Sequence, residues 1–338
     1  MLEIKNVSKS FGRLKALDHV SFNVNKGDLF GIIGQNGAGK STLFRCIMDF
    51  FDSYEGEILY DNKQVRKVPL EKIGFLPEER SLSPKKTVAE EIRYFARLNL
   101  MKNLDQKTLE AYFNKFEIKG SLKDKIKDLS KGNQQKVQLL ASLIYKPEFV
   151  ILDEPFSGLD PYNIRLLQDI IKEINESGTT IIFSSHNMEN IEDMCKKLVM
   201  LKNGRIVLEG SPREIRNSYP RDKLLIECDK DIGEILDSFP LSYIRDENTY
   251  KITLRDVKVG EELYKILTEK FSYLPVFAQT PPSLNEIFTR KVEEDVWILD
   301  CSYRFLEEAD EIQILLAYGN LSYNNGSSRD SYFIFYPR

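Results

Sequence analysis

Gly34 to Ser41 reads GQNGAGKS and fits the pattern G-x-x-x-x-G-K-[ST]. An apolar stretch, LFGIIG, precedes it as a buried strand, and KSTLFRCIMDF follows in a helical pattern. The glycines let the backbone curl so that successive N–H groups point inward at phosphate oxygens. The helix N-terminus adds the favourable end of its dipole to the same anion. The phosphate-binding set is therefore Gly34, Asn36, Gly37, Ala38, Gly39, Lys40, Ser41 and Thr42. Lys40 places a compact positive charge at the β- and γ-phosphates, and Ser41 supplies a hydroxyl to Mg²⁺. The bland alternative is a glycine-rich turn that happens to precede Lys-Ser; the strand and helix on either side weigh against it.

Two further stretches end in groups suited to that chemistry. FVILDE closes on Asp153 and Glu154 at the carboxyl end of an expected parallel strand, where ligands of open α/β sheets bind. Two adjacent carboxylates repel each other, so the pair makes sense beside a cation. Asp153 would hold the metal through water, and Glu154 would polarise an attacking water. TTIIFSSH closes on His186, again at a strand's carboxyl end, where it could bond the γ-phosphate and orient that water. The other histidine, His19, has no such context.

These groups need a scaffold that brings strand ends together. FVILDE and TTIIFSSH are apolar at consecutive positions, as parallel strands covered on both faces are. The helical run YNIRLLQDIIKEINES lies between them, which makes a βαβ unit and an α/β fold. GEILYDNKQV reads as a hairpin turning at Asp61-Asn62, and residues from about Pro84 to Gln135 have helical periodicity. Gly210–Asp222, with Gly, Ser and two Pro, is expected to be a linker. Beyond it the order strand, helix, two strands, helix, strand predicts a small α+β, ferredoxin-like domain. Residues 293–338, rich in Tyr and Phe, carry no recognisable chemistry.

The chain of 338 residues is long enough for more than one domain. Its 48 Lys+Arg and 52 Asp+Glu nearly balance, unlike the basic excess of a general nucleic-acid binder, so no nucleic-acid partner is expected. No apolar run approaches the roughly 20 residues of a membrane helix, and the N-terminus lacks an apolar export core. Action at a membrane would go through a partner. Cys46, Cys195, Cys228 and Cys301 are scattered without a Cys-x-x-Cys pair, as reduced thiols packed like small hydrophobes are.

Taken together and in order, GQNGAGKS, LSKGNQQ, FVILDEP, SGLD and SSH resemble the motifs of the ATP-binding cassette (ABC) ATPases, over roughly Met1 to Pro212. The resemblance implies a P-loop NTPase cassette with an antiparallel β subdomain and a helical subdomain at about 84–135. It implies ATP and Mg²⁺ as ligands. It also gives a purpose to Leu129–Leu140, a Ser-Lys-Gly-Asn loop expected to lead into a helix near Gln134. In the family this loop faces the nucleotide of the other subunit, so Ser130, Gly132 and Asn133 would complete a partner's site. The family pattern is Leu-Ser-Gly-Gly-Gln; Lys131 and Asn133 depart from it. Phe11 matches the aromatic that stacks on adenine, with an ordinary core Phe as the equal alternative. Glu78, in IGFLPEER, stands where the family has a Gln that ligates Mg²⁺, and Asp160 matches the loop that crosses the dimer interface.

FLPEER, LSKGNQQK and SSHNMENIEDMC look most like the ATPase subunits of ABC-2 type exporters, including the sodium-efflux group. The expected organisation is an ATPase domain at 1–215, a C-terminal domain at 222–292 and a tail at 293–338. The resemblance implies an ATP-hydrolysing subunit on the cytoplasmic face of the membrane. It would pair with itself or a related ATPase and dock on integral-membrane permease subunits. The rival class is a soluble ABC ATPase of DNA repair, translation or regulation. Long coiled coils and a second cassette, which mark the first two, are missing from the sequence. A noncatalytic regulator would be expected to lose Glu154 or His186, and both are present.

Overall fold

A computed structural model describes residues 1–79, 81–271 and 273–293. The chain opens with β1 (Leu2–Phe11) and β2 (Leu14–Val24), paired antiparallel with register shifts after Ile4, Val7 and Lys9. β3 (Leu29–Ile33) is buried at every position and feeds directly into the glycine-rich loop and α1 (Lys40–Ile47). β4 (Glu55–Tyr60) and β5 (Lys63–Gln64) form the expected hairpin, with Asp61 and Asn62 at positive φ in its turn. β6 (Ile73–Leu76) then returns to the interior.

The helical region holds α2 (Val88–Leu98) and α3 (Gln106–Lys115). Both starts are written in the sequence. Thr87 and Glu90 form a reciprocal capping box at α2, and the Asp105 carboxylate accepts from Thr108 N–H at 2.8 Å at α3. α4 (Lys131–Leu143) follows, then β7 (Phe149–Leu152), α5 (Pro161–Glu176), β8 (Thr180–Ser184), α6 (Met188–Met194), β9 (Lys197–Lys202) and β10 (Arg205–Gly210).

The central sheet has six strands in the order β10-β9-β3-β8-β7-β6. All neighbours are parallel except β10 with β9. The second sheet, β2-β1-β4-β5, is antiparallel. One apolar core joins the two sheets through α1, including Phe22, Phe30, Phe44, Ile58, Phe149 and Ile182. Truncating any fully buried Leu or Ile in such a core costs about 2–5 kcal/mol. Because β3, β7 and β8 lie side by side and parallel, their carboxyl ends open at one edge. That edge is where the glycine loop, Asp153, Glu154 and His186 must meet.

The expected linker contains a helix instead. α7 (Pro212–Asn217) starts with Ser211 as N-cap, Pro212 in the first turn and Glu214 closing a capping box. Ser-Pro-Arg-Glu satisfies the rules for a helix start, so the Gly and Pro content that signalled a linker marks a helix boundary. β11 (Lys223–Glu227), α8 (Gly233–Asp237), β12 (Leu241–Asp246), β13 (Thr249–Leu254), α9 (Val259–Lys270) and β14 (Val276–Thr280) complete the third sheet. Its order, β12-β13-β11-β14, is antiparallel throughout, the ferredoxin-like arrangement the sequence predicted. It has its own core, in which Leu224 and Ile226 of β11 and Tyr250 and Ile252 of β13 cluster with Leu236 of α8 and Leu263 and Leu267 of α9. Helical backbone resumes at Leu284, whose N–H donates to Glu192 Oε1 at 3.1 Å.

A second compact unit begins at Phe288, and its described residues 288–293 are helical. The tail reading for 294–338, with Cys301, lies outside the described residues. Cys46, Cys195 and Cys228 are free and buried. Burial pushes the Cys46 thiol up to about 11, as an inert packed thiol requires. No helix among the described residues is long and apolar enough to cross a membrane.

Candidate functional site

The loop after β3 is shaped by glycine. Gly37 and Gly39 have φ of 82° and 108°, in the left-handed region. A Cβ on Gly39 would also stand 2.6 Å from Ala16 O, so glycine is required there on two counts. Gly39 is the N-cap of α1 and offers no side chain to cap it. The first N–H groups of that helix are therefore left to an external anion. Lys40 is buried, with Nζ donating to Gly34 O at 2.7 Å and Gln35 O at 3.2 Å.

A cleft of about 580 Å³ lies over this loop, and its walls bring together Phe11, Asn36, Gly37, Gly39, Lys40, Ser41, Thr42 and Glu78. Phe11 is 46% exposed, which removes the reading of it as a core residue. Its ring meets Phe51 edge-on at 5.4 Å, has Lys9 Nζ 5.3 Å from its centre, and lines the cleft. The turn Asn203-Gly204 forms another part of the wall and is absent from the sequence reading. It is tied to β2 by a backbone bond from Asp18 N–H to Gly204 O and by an ion pair of Arg205 with Asp18. Asp18 also meets Lys15 and His19, and these partners, Lys15 first, hold its carboxyl far below the usual range.

The carboxylates lie at the ends of β7 and β8. Asp153 and Glu154 are both buried. Glu154 has φ of 50°, left-handed backbone that an L-residue adopts at a cost of about 1–2 kcal/mol. Its N–H donates to Ser184 Oγ at 2.9 Å, and that hydroxyl donates to Asp153 Oδ1 at 2.6 Å. Glu154 Oε2 lies 2.9 Å from His186 Nδ1. Burial raises the Glu154 carboxyl above its ordinary value, against the opposing pull of His186 and Lys40. The Lys40 charge is thus felt at Glu154, which joins the glycine loop to the carboxylate pair. Sequence reasoning named Asp153, Glu154 and His186 but missed Ser184. A serine in an apolar strand at the mouth of a phosphate site was the available signal.

A third group sits apart from the cleft walls. Ser130 is the N-cap of α4, so the helix starts at Lys131, three residues before the expected start near Gln134. Ser-Lys-Gly-Asn is the cap and first turn of a helix, because Ser130 Oγ accepts from Asn133 N–H at 3.3 Å and from Asn133 Nδ2 at 3.1 Å. Lys119 N–H donates to Asn133 Oδ1 at 3.1 Å and fixes that amide. A Cβ on Gly132 would stand 3.3 Å from Leu159 Cδ2, so the first turn of α4 lies against the loop leading to Asp160. Asp160 itself caps α5, accepting from Asn163 N–H at 3.0 Å. Further along α4, Gln138 Nε2 donates to Pro77 O at 3.3 Å and Glu79 O at 3.1 Å. Those bonds hold the loop that carries Glu78.

Comparison with known proteins accounts for this geometry. Residues 17–157 match the family described as ABC transporter, and residues 210–292 match the ATP-binding protein DrrA1-3-like, C-terminal domain. The uncharacterized ABC transporter ATP-binding protein YhaQ of Bacillus subtilis (strain 168) is 38% identical over 295 residues, covering 86% of this chain and 98% of the relative. Linearmycin resistance ATP-binding protein LnrL of the same organism is 28% identical, covering 75% of this chain and 84% of the relative. Among solved structures, the dimeric post-hydrolysis state of the ATP-binding cassette MJ0796 bound to ADP and Pi superposes with a TM-score of 0.58. It is 25% identical and covers 62% of this chain and 98% of that one. A phosphate cradle, buried carboxylates at parallel strand ends and near full-length likeness to YhaQ lead to one assignment: the chain belongs to the ABC transporter ATP-binding proteins, a family of ATP-hydrolysing cassettes.

Proposed function

We propose that this chain is the energy-supplying subunit of an ABC-2 type exporter, docking on separate integral-membrane permease subunits at the cytoplasmic face. Two cassettes, identical or related, close around two ATP molecules, and hydrolysis reopens them. The observation that carries the catalytic reading is Glu154, buried, bonded to His186 and within the field of Lys40. Glu154 is the general base toward water, and His186 positions the base and the γ-phosphate. Gly34 to Thr42 cradle the phosphates, and Phe11 stacks on the adenine. Ser130 and Gly132 donate to the γ-phosphate held by the other subunit, with Asn133 and Asp160 at the same interface.

Ser41, Glu78 and Asp153 offer a hydroxyl and two carboxylates, the hard oxygens Mg²⁺ prefers. Ser41 and Glu78 face the same cleft. No group of three or more His, Cys, Asp or Glu among the described residues is placed to hold a metal alone. That suits an ion completed by the nucleotide's phosphates and water, where it would neutralise phosphate charge. Export, rather than import, is supported by LnrL, a relative named for resistance to linearmycin. The domain division at 1–215 and 222–292 is supported by the separate core of the third sheet and by the match at 210–292.

Glu154→Gln tests the reading. It is expected to bind ATP, to lose roughly 10²-fold or more in turnover, and to accumulate an ATP-bound dimer on size-exclusion chromatography. Turnover at the wild-type rate would remove Glu154 from its role.

A further inference from the structure

We propose that Ser184 is a positioning residue for the reaction centre, its hydroxyl setting the aim of the Glu154 carboxylate. The inference rests on the proposed role of Glu154 as general base. Ser184 ends β8 and has no exposed surface. A hydroxyl carries one proton and two lone pairs. Here the proton goes to Asp153 Oδ1 at 2.6 Å, and a lone pair takes the Glu154 N–H at 2.9 Å. Both partners sit on the turn that leaves β7, so one side chain fastens the end of β7 to the end of β8.

The second bond explains the backbone of Glu154. Left-handed φ at a residue with a side chain persists where surrounding contacts enforce it. Of the contacts to this turn, the Ser184 bond is made by the strained residue's own N–H. With that conformation held, Oε2 of Glu154 comes to 2.9 Å from His186 Nδ1. Removing the hydroxyl leaves a buried N–H and a buried carboxylate oxygen without their partner. Glu154 is then free to return to extended backbone, which carries its carboxylate away from His186. A base displaced by about 1 Å loses on the order of 10²-fold in rate. Ser184 touches neither nucleotide nor water in this scheme and acts through Glu154.

The experiment compares Ser184→Ala and the nearly isosteric Ser184→Cys, whose thiol is a weak donor, with wild type and with Glu154→Gln. Thermal unfolding and ADP affinity report that each variant folds; if Ser184→Ala does not, Ser184→Cys decides. Both variants are expected to bind ADP as wild type does and to lose roughly 10–100-fold in kcat at saturating ATP, with KM within threefold. Adding Ser184→Ala to Glu154→Gln is expected to change the residual turnover by less than about twofold, because residues acting as a unit are not additive. A folded Ser184 variant with wild-type kcat would overturn the proposal. So would losses that multiply in the double variant, since Ser184 would then act independently of Glu154. Full turnover by Glu154→Gln alone would overturn the base assignment on which the proposal stands, an outcome separate from either.

Discussion

The central sheet and the C-terminal sheet obey different rules. β3, β7 and β8 are buried at every position; buried Lys40 opens the helix after β3, and buried Asp153 and Glu154 follow β7 directly. β11 and β13 alternate between buried and partly exposed positions. Their pairings run without a register shift, and no charged residue is among the buried ones described in that region. One sheet keeps unfavourable features, buried charge and left-handed backbone at Glu154. The other holds no buried charge among its described residues, and its left-handed non-glycine residue, Glu247 at φ 50°, sits in the hairpin turn between β12 and β13. Buried charge persists where it is used, so the comparison assigns the chemistry to the first sheet.

The comparison is sharpened by uncoupling the regions. Leu263→Ala, in the core of the C-terminal sheet, is expected to cost about 3 kcal/mol of stability by urea unfolding. ATP affinity of the folded protein should stay within twofold. A parallel loss of nucleotide binding would show that the two sheets do not work separately. Lys40→Ala is expected to cost about 2 kcal/mol, or roughly 30-fold, in ATP affinity by titration calorimetry, with little change in unfolding. Gln138→Ala frees the Glu78 loop from α4 and should lower turnover roughly fivefold, about 1 kcal/mol, at unchanged ADP affinity. An unchanged rate would mean that this loop is held by other contacts.

The smallest effect concerns Asp18. Its folded-state pKa is depressed, so its contribution to stability is present above the unfolded value of about 3.9 and is lost as pH falls below it. Asp18→Asn should therefore flatten the fall of Tm on acidification through that window. An equal fall in both proteins would exclude the Asp18 cluster as a source of acid sensitivity.

Much of the nucleotide site was legible because its chemistry fixes residue types at fixed spacing. GQNGAGKS, Asp153-Glu154 and His186 each end a strand whose apolar run is unmistakable. The sequence places the start of α4 near Gln134 because Gly132 reads as a loop residue, although Ser with a bonded Asn three residues on starts a helix. The 210–222 stretch reads as linker for a similar reason: Pro and Ser open helices as readily as they interrupt them. Beyond the hint of a serine in an apolar strand, the role of Ser184 is not legible, because it depends on strands β7 and β8 lying side by side and on left-handed backbone at Glu154. No local pattern encodes either. The wall at Asn203-Gly204 likewise exists only once β9 and β10 fold back beside β2.

The central claim is that each chain carries half of each reaction centre. Turnover per chain, measured across a dilution series whose association state is followed by sedimentation, tests it directly. The account predicts a rate per chain that rises with the fraction of ATP-bound dimer and falls toward zero in the monomer range. A constant rate per chain at concentrations where only monomer sediments would contradict it.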